Sequence, residues 1–172
     1  MRVDAQQAWA LVKTAIFTVI VPYTVGFWLP VRVHRAYTVP SDTGGGLPLY
    51  AAICGYPVLS AGVALYLWCA WNFAVRGRGT PAPIDAPRIL VVQGPYRYVR
   101  NPMYVAVLAL VASRAILWRS SPILVYLAFV ATCFHLFIMV YEEPRLRSSF
   151  GSQYEDYCRR VHRWLPRLKP AA

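Results

Sequence analysis

The chain has 172 residues, 58% of them hydrophobic, and sets 18 Lys and Arg against 7 Asp and Glu for a net charge of +11. That apolar share lies well above the ~45–50% of an ordinary soluble domain and excludes one, while the length suits a single domain. Beside long apolar runs, membrane topology and anionic headgroups account for the basic surplus, so no nucleic-acid partner is expected.

Four apolar runs approach the roughly 20 helical residues that cross a ~30 Å hydrocarbon core. The first covers residues 8–31. Its apolar part is too long for a cleaved leader and no small-x-small site follows Leu29-Pro30, so a permanent helix kinked at Pro22 is predicted. Residues 31–46, ending in Gly44, Gly45 and Gly46, read as a connector.

The second run covers residues 47–73, where Ala51 and Gly55 have the spacing that lets helices pack closely. Residues 76–83, rich in Arg, Gly and Pro, read as a loop. The third run, residues 102–118, contains Arg114 near its far end, from which the guanidinium snorkels to the interface. The fourth covers residues 122–141.

Asn101-Pro102 and Ser121-Pro122 each place a capping side chain before a proline at the first helical position. Only Arg119, Ser120 and Ser121 separate the last two runs, which predicts an antiparallel hairpin. The hairpin brings Asn101 beside Glu142. Past Tyr141 the helix is predicted to continue to Ser149 and to end at Gly151, with Ser152 and Glu155 spaced as a capping box for a new helix. Leu146, Phe150, Tyr154, Tyr157 and Val161 form an apolar stripe at helical spacing that covers the protein or lies on the membrane surface.

Charge placement gives the orientation. Arg76, Arg78, Arg88, Arg97 and Arg100 lie between runs two and three, and Arg145, Arg147, Arg159, Arg160, Arg163, Arg167 and Lys169 in the tail. The positive-inside rule then puts both termini and the second loop in the cytoplasm. Cys54, Cys69, Cys133 and Cys158 show no CxxC spacing, so neither a metal nor a redox site is expected.

Two segments carry the chemistry because ionisable groups at a membrane boundary are expensive. Glu142 and Glu143 directly follow an apolar helix; they read either as a solvated helix end or as carboxylates holding a cationic or hydroxyl-rich ligand. Tyr96, Tyr98 and Tyr104 read as an interfacial aromatic belt or as faces for an organic cation. The free amides at the helix start near Asn101 suit an anionic group. A ligand with a carboxylate, hydroxyls and a positive sulfur matches this mixture, and S-adenosylmethionine has all three. His135, seven residues before Glu142, lies on the same helix face two turns deeper and is either a packed core histidine or a general base toward the membrane.

Residues 94–104 (Gly-Pro-Tyr-Arg-Tyr-Val-Arg-Asn-Pro-Met-Tyr), the Glu142-Glu143-Pro144-Arg145-Leu146 piece, and residues 150–157 and 161–166 together resemble the isoprenylcysteine carboxyl methyltransferase family. The Asn101-to-Tyr104 and Tyr141-to-Pro144 pieces also resemble phosphatidylethanolamine N-methyltransferases. The resemblance covers residues 88–166. It implies an integral-membrane enzyme that binds S-adenosylmethionine in a cytoplasmic pocket, releases S-adenosylhomocysteine and receives a lipophilic small-molecule or lipid acceptor from the bilayer. By position it assigns cofactor binding to Arg88, Ile89, Leu90, Val91, Tyr96, Asn101, Pro102, Met103, Tyr104 and Glu142. The chain departs from the isoprenylcysteine enzymes at Asn101, where they have histidine, and at Ile138, where they have the arginine that meets the substrate carboxylate.

The expected protein is therefore an all-α integral membrane helical bundle of four transmembrane helices plus a C-terminal amphipathic cytoplasmic helix. It forms one domain over residues 1–172, with residues 1–73 the first two spans and residues 88–166 the cofactor-binding and catalytic part. The expected activity is S-adenosylmethionine-dependent methyl transfer to a carboxylate, amine or hydroxyl, without metal. Glu142 anchors the cofactor, His135 is the candidate base, and Arg100, Arg97 or Arg163 orients a carboxylate acceptor. The alternatives are phospholipid N-methylation, a membrane sterol-type reductase and a non-enzymatic membrane scaffold.

Overall fold

A computed structural model describes residues 20–37, 46–72 and 90–169, and all its regular structure there is helical. Helix α1 covers residues 20–37 with a π-type stretch at Thr24–Trp28; α2 is Leu49–Asn72, α3 Pro102–Leu117, α4 Ser121–Phe150 and α5 Ser152–Arg160. A single 3-10 turn, Gly94–Arg97, precedes α3.

Two of these helices, α2 and α4, are long and apolar enough to cross a membrane. Helix α3 is apolar but has 16 residues. Of the first predicted span, only the part from residue 20 is described. The helix there runs on to Tyr37, past the predicted end at Val31, so part of the expected connector is helical. Pro30 sits inside it without ending it, and a π-type stretch at Thr24–Trp28 follows Pro22.

Helices α2 and α3 pack most extensively of any pair, because small residues line their seam. A Cβ on Gly62 would stand 3.2 Å from the Ala106 carbonyl oxygen, and one on Gly55 2.6 Å from the Leu117 side chain. Ala51 is fully buried, as its spacing with Gly55 predicted. Such close approach supplies the dispersion contacts that join helices in lipid, where no hydrophobic force acts between them. Tyr66, Ala106 and Val107 form one core layer, and Val111, Ala115 and Ile123 another, against Val33 of α1 and Leu127 of α4.

Arg114 finds protein partners within the bundle. Its Nε donates to the Gly26 carbonyl at 2.8 Å, and the guanidinium lies 4.4 Å from the Phe27 ring centre and 5.4 Å from that of Trp118. A carbonyl and two aromatic faces thus offset its desolvation. The nearby turn Trp118–Arg119–Ser120 is as tight as predicted, with Arg119 at φ 50°.

The capping predictions need correction. Ser120, not Ser121, is the N-cap of α4, and Gly151, not Ser152, is that of α5. Asn101 is the N-cap of α3, but its side chain makes no capping bond; it donates instead to the Arg163 carbonyl. Ser120 is extended, Gly151 has φ 50°, and the Asn101 amide is taken by the Arg163 carbonyl, so turn geometry and tertiary contacts decide each cap. Gly151 does end α4, at φ 50° with its N–H on the Arg147 carbonyl. Beyond it, Tyr154, Tyr157 and Val161 are buried against Leu146, Phe150 and Leu90, so the stripe folds back on the protein.

Candidate functional site

At ~1.5 Å per residue, the stretch of α4 from residue 121 to 141 fills a ~30 Å core. Glu142 and Glu143 therefore stand just past the apolar span. A second π-type stretch, Ile138–Glu142, lies immediately before them.

A cavity of about 80 Å³ opens at this level. Val21 of α1, Tyr66 of α2, Tyr96 and Arg100 of the connecting turn, Asn101, Met103, Tyr104 and Val107 of α3, and Phe134 and Glu142 of α4 line it. The two segments singled out in the sequence thus meet in one wall. Tyr104 donates its hydroxyl to Glu142 Oε2 at 2.8 Å. Phe134 sets its ring edge-on to Tyr104, with centroids 4.8 Å apart.

Burial raises the Glu142 carboxyl above its usual 4.5; the Tyr104 hydrogen bond lowers it in part, and the charge of Glu143 raises it further. Burial also pushes the Tyr96 phenol well up, reinforced by Cys69, Tyr157 and Glu142, so it stays protonated. The backbone that carries Tyr96 is fixed from beneath, where the Tyr157 hydroxyl donates to the Tyr96 carbonyl at 2.7 Å. It is fixed from the front by Gly94, whose φ of 60° suits a residue without Cβ.

Glu143 points elsewhere. Arg163 grips it with two hydrogen bonds, Nε to Oε1 at 2.7 Å and an Nη to Oε2 at 3.0 Å. Arg100 and Arg147 approach at 3.4 and 3.9 Å. Burial alone would raise this carboxyl, but the Arg163 hydrogen bonds and the three arginine charges outweigh it and hold it below 4.5. The tail closes over the same corner. Arg100 N–H donates to the His162 carbonyl at 2.9 Å and Arg167 N–H to the Tyr98 carbonyl at 3.0 Å.

Of the predicted cofactor residues, Tyr96, Asn101, Met103, Tyr104 and Glu142 line the cavity. Pro102, Leu90 and Val91 do not, and Leu90 packs on the Tyr154 cluster instead. Arg88 and Ile89 lie outside the described residues. His135 is also absent from the cavity wall, and its Nδ1 accepts from the Trp164 indole at 3.1 Å. The π-type stretch is the reason: a wider turn takes one more residue, so the position two turns below Glu142 is Phe134 rather than His135. Ile138 is almost fully buried in that stretch. Val21, Tyr66, Val107 and Phe134 were not predicted, since apolar residues in apolar runs carry no sequence signal for a cavity.

Two helices of membrane-spanning length and a cavity of mixed aromatic and ionisable lining near their ends mark a membrane-associated class of protein. The chain belongs to the phospholipid methyltransferase family, whose model matches residues 50–153. The match reaches back through α2, further than the motifs that carried the resemblance, and includes every cavity residue except Val21. No curated protein and no solved structure matches the chain.

Proposed function

We propose that this chain is a multi-pass membrane methyltransferase that binds S-adenosylmethionine at the Tyr104–Glu142 cavity and methylates a lipophilic acceptor from the bilayer. The observation that carries the reading is the Tyr104 hydroxyl on Glu142 Oε2, at the mouth of a cavity whose other walls are aromatic and apolar. The donor set fits the cofactor. A carboxylate past the span suits ribose hydroxyls or an ammonium, and the Tyr66, Tyr96 and Phe134 rings suit an adenine face or a sulfonium.

When bound, the cofactor supplies an activated methyl group. The protein contributes position and exclusion of water. Tyr104 orients the Glu142 carboxylate. Tyr96, protonated and held by Tyr157, forms a fixed side wall. Val107 and Phe134 lie six residues below Asn101 and eight below Glu142, about two turns into the hydrocarbon. A lipid acceptor can therefore present its polar end to the mouth while its chain stays among apolar residues. His135 has no part in this scheme, because its ring faces Trp164.

The proposed topology has four spans, with both termini and the cavity mouth in the cytoplasm, following the arginine-rich tail and second loop. Phospholipid amine methylation fits as well as carboxylate methylation. The family match favours the first, and Ile138 in place of an arginine weighs against a prenylcysteine carboxylate.

Calorimetric titration of the detergent-solubilised chain with S-adenosylhomocysteine tests the proposal. Saturable heat is expected, together with its loss in Glu142→Ala at unchanged melting temperature. No heat and no thermal shift at millimolar ligand would remove the cofactor from the reading.

A further inference from the structure

Among the described residues lining the cavity, Arg100 is the only cation. It is also the most enclosed of the three arginines around Glu143. Its side chain is 12% exposed, against 27% for Arg163 and 52% for Arg147. Glu143 already has its bidentate partner in Arg163. Arg100 adds one Nη at 3.4 Å and shares that nitrogen with the Cys158 sulfur, a weak acceptor.

One further donor of its fork is unused. Arg100 Nε is buried with no hydrogen-bond partner. A guanidinium has five donors and no acceptor, and leaving one buried and empty costs stability. The neighbouring polar groups do not fill it. Glu142 takes the Tyr104 hydroxyl, and the Asn101 amide donates to the Arg163 carbonyl. Charge points the same way: Arg100, Arg147 and Arg163 surround Glu143, with Glu155 reaching only Arg147.

We propose that Arg100 is the anion receptor of the cavity, binding a carboxylate or phosphate oxygen of the molecule that occupies it. Two molecules offer such a group: the cofactor through its α-carboxylate and a phospholipid acceptor through its headgroup phosphate. The first source rests on the proposed methyltransferase reading; the second does not need the cofactor. Arg100 is a binding residue here, and no bond is made or broken at it.

The test uses two ligand pairs on the detergent-solubilised full chain. One pair is S-adenosylhomocysteine and its decarboxylated analogue. The other is a short-chain phosphatidylglycerol and the uncharged diacylglycerol with the same chains. Affinities are measured for wild type, Arg100→Gln and Arg100→Lys, with thermal melting to verify folding. Wild type should prefer the anionic member of one pair by about tenfold or more, the scale of a charge-assisted hydrogen bond. Arg100→Gln should erase that preference, and Arg100→Lys should keep part of it. Preference in the first pair assigns the cofactor carboxylate; in the second, the lipid phosphate. If Arg100→Gln does not fold, the wild-type preference and its reduction in Arg100→Lys carry the decision. The proposal falls if wild type shows no preference in either pair, or if Arg100→Gln or Arg100→Lys keeps it in full. Failure of the methyltransferase reading looks different: S-adenosylhomocysteine does not bind, while an Arg100-dependent preference for the anionic lipid persists.

Discussion

Tyr104 and Glu142, 38 positions apart in sequence, share a hydrogen bond of 2.8 Å that joins the first turn of α3 to the end of the apolar part of α4. Their coupling is measurable. Tyr104→Phe should weaken S-adenosylhomocysteine binding about fivefold, the equivalent of ~1 kcal/mol. In a Glu142→Gln background the same substitution should have a much smaller effect, giving a non-additive double-mutant cycle. Strict additivity would show that the tyrosine acts without the carboxylate.

Glu143 makes stability pH-dependent in a defined direction. Its carboxyl is held below the ordinary 4.5 in the folded chain, so its contribution is complete above 4.5 and is lost as pH falls through the lower folded value. The melting temperature of wild type should fall more steeply below pH 4.5 than that of Glu143→Gln. Parallel curves would mean that the arginine cluster adds nothing net to folding.

Gly94 holds the Tyr96 turn at φ 60°, where a Cβ would also stand 2.8 Å from the Asn72 amide atoms. Asn72 cannot yield easily, since it is buried and donates to the Trp68 carbonyl at 2.8 Å. Gly94→Ala should cost about 1–3 kcal/mol, from the left-handed backbone and the clash together. It should also weaken ligand binding at Tyr96. A thermal melt paired with calorimetry checks both, and an unchanged melting temperature would contradict the strain argument.

Arg163 fastens the tail to α4 through Glu143, beside the Trp164–His135 hydrogen bond. Arg163→Ala should speed proteolysis between residues 161 and 169 and raise hydrogen exchange at the Arg100 and Arg167 amides, which donate to the His162 and Tyr98 carbonyls. The buried α2–α3 seam should exchange as before. Unaltered exchange at those two amides would show that the tail is retained without the Arg163–Glu143 pair.

The α2–α3 seam is sensitive to volume at Gly62, whereas Gly46, which precedes α2, faces open space. Gly62→Val should destabilise by about 1–3 kcal/mol through overpacking against Ala106, Ala109 and Leu110. Gly46→Ala, with nothing within 4 Å, should stay within ~0.5 kcal/mol of wild type. Chemical denaturation of the two variants side by side gives the comparison.

Much of this was legible in the chain. Length and uninterrupted apolarity dictate helices in a bilayer, since backbone groups there must be satisfied within each segment. Arg119, Ser120 and Ser121 leave too little chain for anything but a hairpin, and the hairpin by itself puts Asn101 near Glu142. Small residues at Ala51 and Gly55 announce a close seam. These are local signals, carried by steric and solvation costs paid within a few residues.

Tertiary structure decided what local signals cannot carry. The π-type stretch at Ile138–Glu142 moved His135 out of the cavity and Phe134 into it, because a single wider turn rotates every residue beyond it. Composition and spacing alone left the two adjacent glutamates with equal claims, and only the family resemblance pointed to Glu142. Packing separated them, giving Glu142 a tyrosine hydroxyl and a cavity and Glu143 three arginines from three different segments. Side-chain direction and charge environment depend on neighbours distant in sequence. Composition and spacing could therefore locate the site but not say which carboxylate faces it.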